Sequence, residues 1–371
     1  MHPFDRLVRA AMRDVPPYVP GTPIEEVRRR YGLDRVIKLA SNENPLGSSP
    51  RAIEALHAIE ALNVYPDDVN LDLRRRLGER CGLSADHVAL GHGSNELLRN
   101  LLTLVVEPGD ELVCAKETFS LYRHDALMLG AVTVEVPLDD GVHDLPAMLA
   151  AVTPRTKIVV LCDPNNPTGT RVTREAYRRF LAELPPEVLL VVDQAYVEFA
   201  DDDAVDATLD LHARENLLIF RTLSKIYGLA AVRIGYAVGD PAIIAWLMRA
   251  HVPFNVTLPA VRAAMAALDD EDFVRRTRAN NQEGKAYLYA QIERLGLWAY
   301  ESAANFLCIH LPVGADRAHQ DLMRRGVIVR AGTSFGLPRH IRVTIGTPEE
   351  NRVFVSALEQ ALESWASARP A

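Results

Sequence analysis

The chain has 371 residues, 48% hydrophobic, 24% charged and 6% aromatic, the values of an ordinary folded protein long enough for two domains. Its formal net charge of -8 leaves no basic excess to neutralise phosphates, which argues against a nucleic-acid binder. The four cysteines (Cys81, Cys114, Cys162, Cys308) show no CxxC spacing and the eleven histidines no HExxH pattern, so free thiols and no metal site are expected.

Met1-His2-Pro3-Phe4-Asp5-Arg6 lacks the apolar core of a signal sequence, and no run reaches the roughly 18 apolar residues of a membrane span. A cytoplasmic protein with no membrane partner is the expectation. Residues 1–30 open with a short helical stretch. Pro16, Pro17 and Pro20 then bracket Tyr18 in an extended arm. Arg28-Arg29-Arg30 and Arg74-Arg75-Arg76 sit among acids and read as solvated helix faces.

A short strand at Ile37 runs into the tight loop Ser41-Asn42-Glu43-Asn44-Pro45-Leu46-Gly47. An amphipathic helix over 50–62, a turn at Tyr65-Pro66-Asp67 and a helix from Leu71 to Cys81 follow. Val88-Ala89-Leu90 is a strand ending in Gly91-His92-Gly93, with a helix from Ser94 or Asn95 through Leu104. A glycine turn into a helix N-terminus suits a phosphate, though many strand–helix turns carry glycine. Strands follow at Glu111–Cys114 and Val132–Val136, with a helix beginning near Thr118-Phe119-Ser120-Leu121-Tyr122 between them and one over 144–151, capped by Asp144, after them. Lys157–Cys162 is a continuous apolar strand running into Asp163-Pro164-Asn165-Asn166-Pro167-Thr168-Gly169. Thr173 caps a helix through Glu183, and Val188–Val192 is a strand ending in Asp193-Gln194-Ala195-Tyr196. Two more short strands, at Asn216–Phe220 and Ile234–Val238, flank Arg221-Thr222-Leu223-Ser224-Lys225.

This alternation over about 85–240 predicts an α/β domain with a mostly parallel sheet. Gly93, Asn166, Asp193 and Lys225 all fall just past strand ends, where such sheets collect ligands. From about residue 241 the texture changes to helices (243–249, 258–268, 271–295, 318–325, 348–365) with strands at 304–310 and 341–345, an α+β segment.

Lys225 is the centre of the functional reading. A lone loop lysine is ordinarily a solvated charge. Here Thr222 and Ser224 offer hydroxyls and Arg233 a planar fork suited to a phosphate. A lysine kept dry beside a phosphate monoester has a lowered pKa and can attack a carbonyl, which points to pyridoxal 5'-phosphate (PLP). PLP also needs a carboxylate at its pyridine nitrogen, so that the ring acts as an electron sink, and Asp193 supplies one. Asn166 and Tyr196 are donors for the ring's phenolic oxygen. Ser94, Asn95, Thr222, Ser224 and Arg233 make the phosphate cup, and Phe119 is the aromatic face. Singly, Asp193 reads equally as a cap, Asn166 as a turn residue and Phe119 as core; together, at successive strand ends, they argue for one site.

With Pro17-Tyr18-Val19-Pro20-Gly21, Asn42-Glu43-Asn44-Pro45, Tyr65-Pro66-Asp67, Gly91-His92-Gly93-Ser94-Asn95-Glu96, Ala304-Asn305-Phe306 and Ile341-Arg342-Val343-Thr344-Ile345, these segments resemble fold-type I PLP-dependent aminotransferases along essentially the whole chain. Within them the chain is most similar to the histidinol-phosphate group. The resemblance implies a large PLP-binding domain over 41–250, a smaller α+β domain over 251–371 and an N-terminal arm over 1–40 joining it. It implies a homodimer with shared active sites, in which Lys225 holds PLP and moves the proton, Asp193 pairs the pyridinium, and Tyr65 reaches the phosphate of the partner subunit's cofactor. Arg330 and Arg342, helped by Tyr18 and Asn42, would grip the anionic end of the substrate.

The implied reaction is transfer of the amino group of histidinol phosphate to 2-oxoglutarate, giving imidazole acetol phosphate and glutamate in histidine biosynthesis. An aromatic amino acid aminotransferase is the alternative, and a PLP-dependent decarboxylase of a phosphorylated amino acid shares the scaffold. The chain departs from the family at His92 and Asp163, where Asn is common, at Gln194, where Glu is common, and at Asp67-Asp68-Val69-Asn70, where a glycine-containing loop stands. None of these removes a catalytic group.

Overall fold

A computed structural model describes residues 2–17 and 21–367. Strand β1 (Ile37–Lys38) is short and pairs in parallel with a strand almost three hundred residues later, β11 (Val327–Ile328). Seven strands form the central sheet: β2 (Val88–Gly91), β3 (Glu111–Ala115), β4 (Val132–Val136), β5 (Thr156–Cys162), β6 (Leu189–Asp193), β7 (Leu217–Thr222) and β8 (Gly235–Gly239). Their order is β2-β8-β7-β6-β5-β3-β4. All run parallel except β8, which is antiparallel to both neighbours. A parallel return needs a crossover, usually a helix. Between β7 and β8 the chain forms only the 3-10 turn Ala230–Val232, so it comes back antiparallel.

The apolar runs form strands because both faces of this sheet are covered. Along β5, Ile158 and Val160 face one hydrophobic cluster while Val159 and Leu161 face the other, the period-2 alternation of a strand buried on two sides. On one face lie the helices Ser94–Val105, Leu121–Leu129 and Pro241–Ala250, through Leu97, Leu101, Tyr122 and Leu247. On the other lie Leu71–Arg80, Arg174–Glu183 and Leu258–Leu268, through Leu73, Tyr177, Phe180 and Ala264. Asp144 and Thr173 cap their helices as expected, accepting from the N–H of Ala147 at 3.0 Å and of Ala176 at 3.2 Å.

The C-terminal segment builds an antiparallel sheet from β9 (Trp298–Ala299), β10 (Phe306–His310), β12 (Arg330–Ala331) and β13 (His340–Thr344), in the order β12-β13-β10-β9. The helices Glu271–Arg294, Ala315–Arg324 and Pro348–Ser367 pack on it through Leu288, Leu322, Phe354 and Trp365, with Ile37 and Leu39 joining the same cluster.

The helix expected to start within 118–122 begins at Leu121, with Thr118 ahead of it donating to Asn165 Oδ1 at 2.8 Å. Two expectations are corrected. The helix read over 50–62 stops at His57. Beyond it Leu62 and Val64 are exposed, so no buried face sustains further turns. The segment read as arm contains a further helix, Ile24–Tyr31, which buries Val27 and ends at Gly32 with φ 64.

Candidate active site

The phosphate cup comes from local rules. Strand β2 delivers the chain to Gly93, whose φ of 77 turns it into the helix Ser94–Val105 with no side-chain cap. The first-turn N–H groups at Ser94 and Asn95 are therefore available to an anion. The Glu96 carboxylate turns back to accept from the His92 N–H at 2.6 Å. Arg233, itself at φ 58 after the β7–β8 connection, packs its guanidinium against Gly93 so closely that a Cβ there would collide with it. Glycine is required at 93 both for the backbone angle and for this approach. Thr222 and Ser224 complete the group, with the Ser224 N–H donating to Thr222 Oγ1 at 3.1 Å.

Lys225 donates from Nζ to the Ser41 carbonyl at 3.0 Å. Burial, then the Arg342 guanidinium, bring its ammonium down to about 8, against the opposing pull of Glu43. Near neutral pH a usable fraction of this amine is thus uncharged. Asp193, the last residue of β6, accepts at Oδ2 from the Tyr122 hydroxyl at 2.6 Å and at Oδ1 from the Ala195 N–H at 3.1 Å. Burial pushes its carboxyl up, and these two donors pull it back. Tyr196 accepts from the Asn42 amide at 2.9 Å. Burial raises its hydroxyl to about 12, so it remains a neutral donor.

Ser94, Asn95, Phe119, Asn166, Asp193, Tyr196, Thr222, Ser224, Lys225 and Arg233 line one cavity of about 190 Å³. Asn42 reaches it through Tyr196. Arg342 reaches it by donating to Asn166 Oδ1, and its guanidinium lies between Phe306 and Phe335, 5.4 and 5.2 Å from their ring centres. Arg330 stands opposite Arg342 in the β12–β13 register, on the same face, 5.8 Å from the Phe335 ring. Tyr65 does not line this chain's cavity: it is 78% exposed and stacks on Phe254 at 4.5 Å. Tyr18 lies outside the described residues.

Four cavity residues were not singled out from sequence as site residues: Tyr122, Cys162, Ala195 and Ala230. For the first, a signal lay close by: Tyr122 follows Phe119 by three positions across the turn that enters the helix, its N–H donating to the Phe119 carbonyl at 3.3 Å.

The donor set fits PLP. Hydroxyls, helix N–H groups and an arginine suit its phosphate, a buried carboxylate suits its ring nitrogen, and a lysine of lowered pKa suits its aldehyde. The lone first-turn N–H groups beside Arg233 are a cradle that a Cβ at Gly93 would fill.

The family model of class I and II aminotransferases matches residues 34–358. A protein of Symbiobacterium thermophilum named histidinol-phosphate aminotransferase is 48% identical over 96% of this chain and 98% of its own length. One of Moorella thermoacetica with the same name is 45% identical over 95% of this chain and 92% of its own. The crystal structure of histidinol-phosphate aminotransferase from Sinorhizobium meliloti, in complex with pyridoxal-5'-phosphate, superposes with a TM-score of 0.88 at 29% identity, covering 96% of this chain and 97% of that one.

Proposed function

The chain belongs to the class I and II aminotransferases, and from that premise we propose that it is a PLP-dependent transaminase moving the amino group of histidinol phosphate to 2-oxoglutarate. The observation that carries the reading is the single cavity in which Lys225, Asp193 and the Ser94–Arg233 phosphate cup meet. Bound there, PLP supplies an electron sink for the bond broken at the substrate's α-carbon.

The residues do the rest. The cup of Ser94, Asn95, Thr222, Ser224 and Arg233 holds the cofactor phosphate. Asp193 keeps the ring nitrogen protonated, and Phe119 stacks on the ring. Tyr196 and Asn166 donate to the phenolic oxygen. Lys225 would attach the cofactor and, when not bonded to it, would hold and move a proton at Nζ. Its depressed pKa suits that work, because a base acts best near ambient pH. Arg330 and Arg342 hold the substrate anion, a phosphate in one half-reaction and a carboxylate in the other, with Tyr18 and Asn42 assisting.

The reading includes a homodimer with shared sites. Its support is the position of Tyr65, exposed and outside its own cavity, where a second copy can receive it. It also includes a division into an arm over 1–40, a large domain over 41–250 and a small one over 251–371, supported by separate hydrophobic clusters on the two sheets. The helix Leu258–Leu268, beyond the proposed boundary at 250, packs into the large sheet's cluster.

The test mixes the PLP form separately with histidinol phosphate, phenylalanine, aspartate and glutamate and follows conversion to the pyridoxamine form by absorbance. Fastest conversion by histidinol phosphate, by a wide margin, bears the reading out. Equal or faster conversion by phenylalanine moves the enzyme to the aromatic aminotransferases, and carbon dioxide release independent of any keto acid would make it a decarboxylase.

A further inference from the structure

The chemistry assigned above gives no task to the phenol that touches its central carboxylate. Tyr122 is 1% exposed and donates to Asp193 Oδ2 at 2.6 Å, a short charge-assisted bond. Its ring meets Phe119 edge-on, with centres 5.5 Å apart and planes at 81°. The Cys162 thiol beside it points to the Pro164 carbonyl at 3.6 Å. Asp193 is buried too, 5% exposed, and the groups that stabilise its charged form are the Tyr122 hydroxyl and the Ala195 N–H.

Held by one phenol and one amide, and with no cationic side chain bonded to it among the described residues, the carboxylate has room for a third, cationic partner. Both donors also fix its plane. A weaker set would leave the carboxylate more basic, and a more basic Asp193 would take the proton it shares with a pyridine nitrogen.

We propose that Tyr122 is a positioning residue that acts through Asp193: its hydrogen bond orients the carboxylate and keeps it charged, so that the shared proton stays on the cofactor's ring nitrogen. This rests on the reading of Asp193 as the ring-nitrogen partner. A tyrosine that only fills the core beneath Phe119 would affect packing and melting but not the protonation of the bound cofactor.

Three forms are compared with the unmutated holoenzyme: Tyr122→Phe, Asp193→Asn, and 3-fluorotyrosine placed at position 122. The readouts are apoprotein melting, PLP affinity, the pH midpoint of the bound cofactor's visible band, and kcat and KM. A proton on the ring nitrogen repels one on the nitrogen bonded to Lys225, so its loss raises the visible midpoint. Tyr122→Phe is expected to raise that midpoint by about half a pH unit or more. It should lower kcat about tenfold, with KM changed by less than about twofold. The fluorinated phenol, a stronger donor, should move the midpoint the other way.

A Tyr122→Phe protein with unchanged midpoint and kcat, beside an impaired Asp193→Asn, overturns the inference and leaves Asp193 its role. If both are unchanged, the reading of Asp193 itself fails and the inference falls with it. Should Tyr122→Phe melt too low to use, the fluorinated protein decides, and an unmoved midpoint there overturns the inference.

Discussion

Arg342, on the inner strand β13 of the small sheet, donates to Asn166, on the turn after β5 of the large one. The same guanidinium donates to the Ala40 carbonyl at 2.7 Å, just past β1. A group proposed to hold the substrate anion is thereby tied to one proposed to donate to the cofactor's phenolic oxygen. In the proposed site, anion binding and cofactor orientation share a hydrogen bond.

Arg342→Ala is accordingly expected to damage both half-reactions. Loss of a buried charge-assisted partner costs on the order of 3 kcal/mol, about 10²-fold in kcat/KM. Histidinol phosphate and glutamate should suffer alike. An effect on only one of them would contradict a shared anion site. Stopped-flow absorbance of each half-reaction measures it.

Lys225→Ala should abolish the visible band of the PLP-loaded protein and reduce turnover by ~10³-fold or more, while the apoprotein stays folded. In the unmutated protein burial brings the Lys225 amine, the proposed attachment point for PLP, down to about 8. The rate at which apoprotein takes up PLP covalently should therefore rise with pH and level off near 8. A rate still climbing steeply at pH 10 would contradict the depressed amine.

Gly93→Ala places a methyl where the Arg233 guanidinium lies and strains a residue at φ 77. The expected result is a PLP dissociation constant raised roughly 10- to 100-fold, with about 1 kcal/mol or more of lost stability. Equilibrium titration of the apoprotein with PLP is the check, and unchanged affinity would remove Gly93 from the cup.

Asp163 gives a pH dependence. It is buried just after β5, and burial raises its carboxyl from 3.8 to about 7, against the Val172 N–H at 2.8 Å. The folded state favours the neutral acid. That preference is fully present below about pH 4, and it is lost as pH rises to about 7, above which the buried charge is a constant cost. Asp163→Asn, neutral throughout, should be the more stable protein at pH 8 by about 2–4 kcal/mol, and the gap should narrow between pH 8 and pH 5. Thermal melts across that range test it, with a constant gap as the contrary outcome.

Much of the site was legible because its residues obey local rules. Gly93, Asn166, Asp193 and Lys225 each follow an apolar strand, and parallel α/β architecture sends all strand ends to one side. The helix over Leu258–Leu268 could be read to its ends because Thr257 accepts from the Ala260 N–H and the apolar face is regular. The helix after Pro50 could not, because its end depends on whether Leu62 and Val64 find a core, and they do not.

The sequence by itself determined the alternation of strands and helices and pointed to Lys225 and the groups around it as a candidate site. Those signals are short-range: glycine geometry, helix caps, and the periods of buried residues. Only the tertiary structure decided that β8 runs backwards, that Ile37–Lys38 pairs with Val327–Ile328, and that Arg330 faces Arg342. It alone showed that the Tyr122 hydroxyl ends on Asp193, 71 positions away in sequence. No local pattern encodes these, because each is a contact between distant segments that forms only once burial of the two sheets has brought them together.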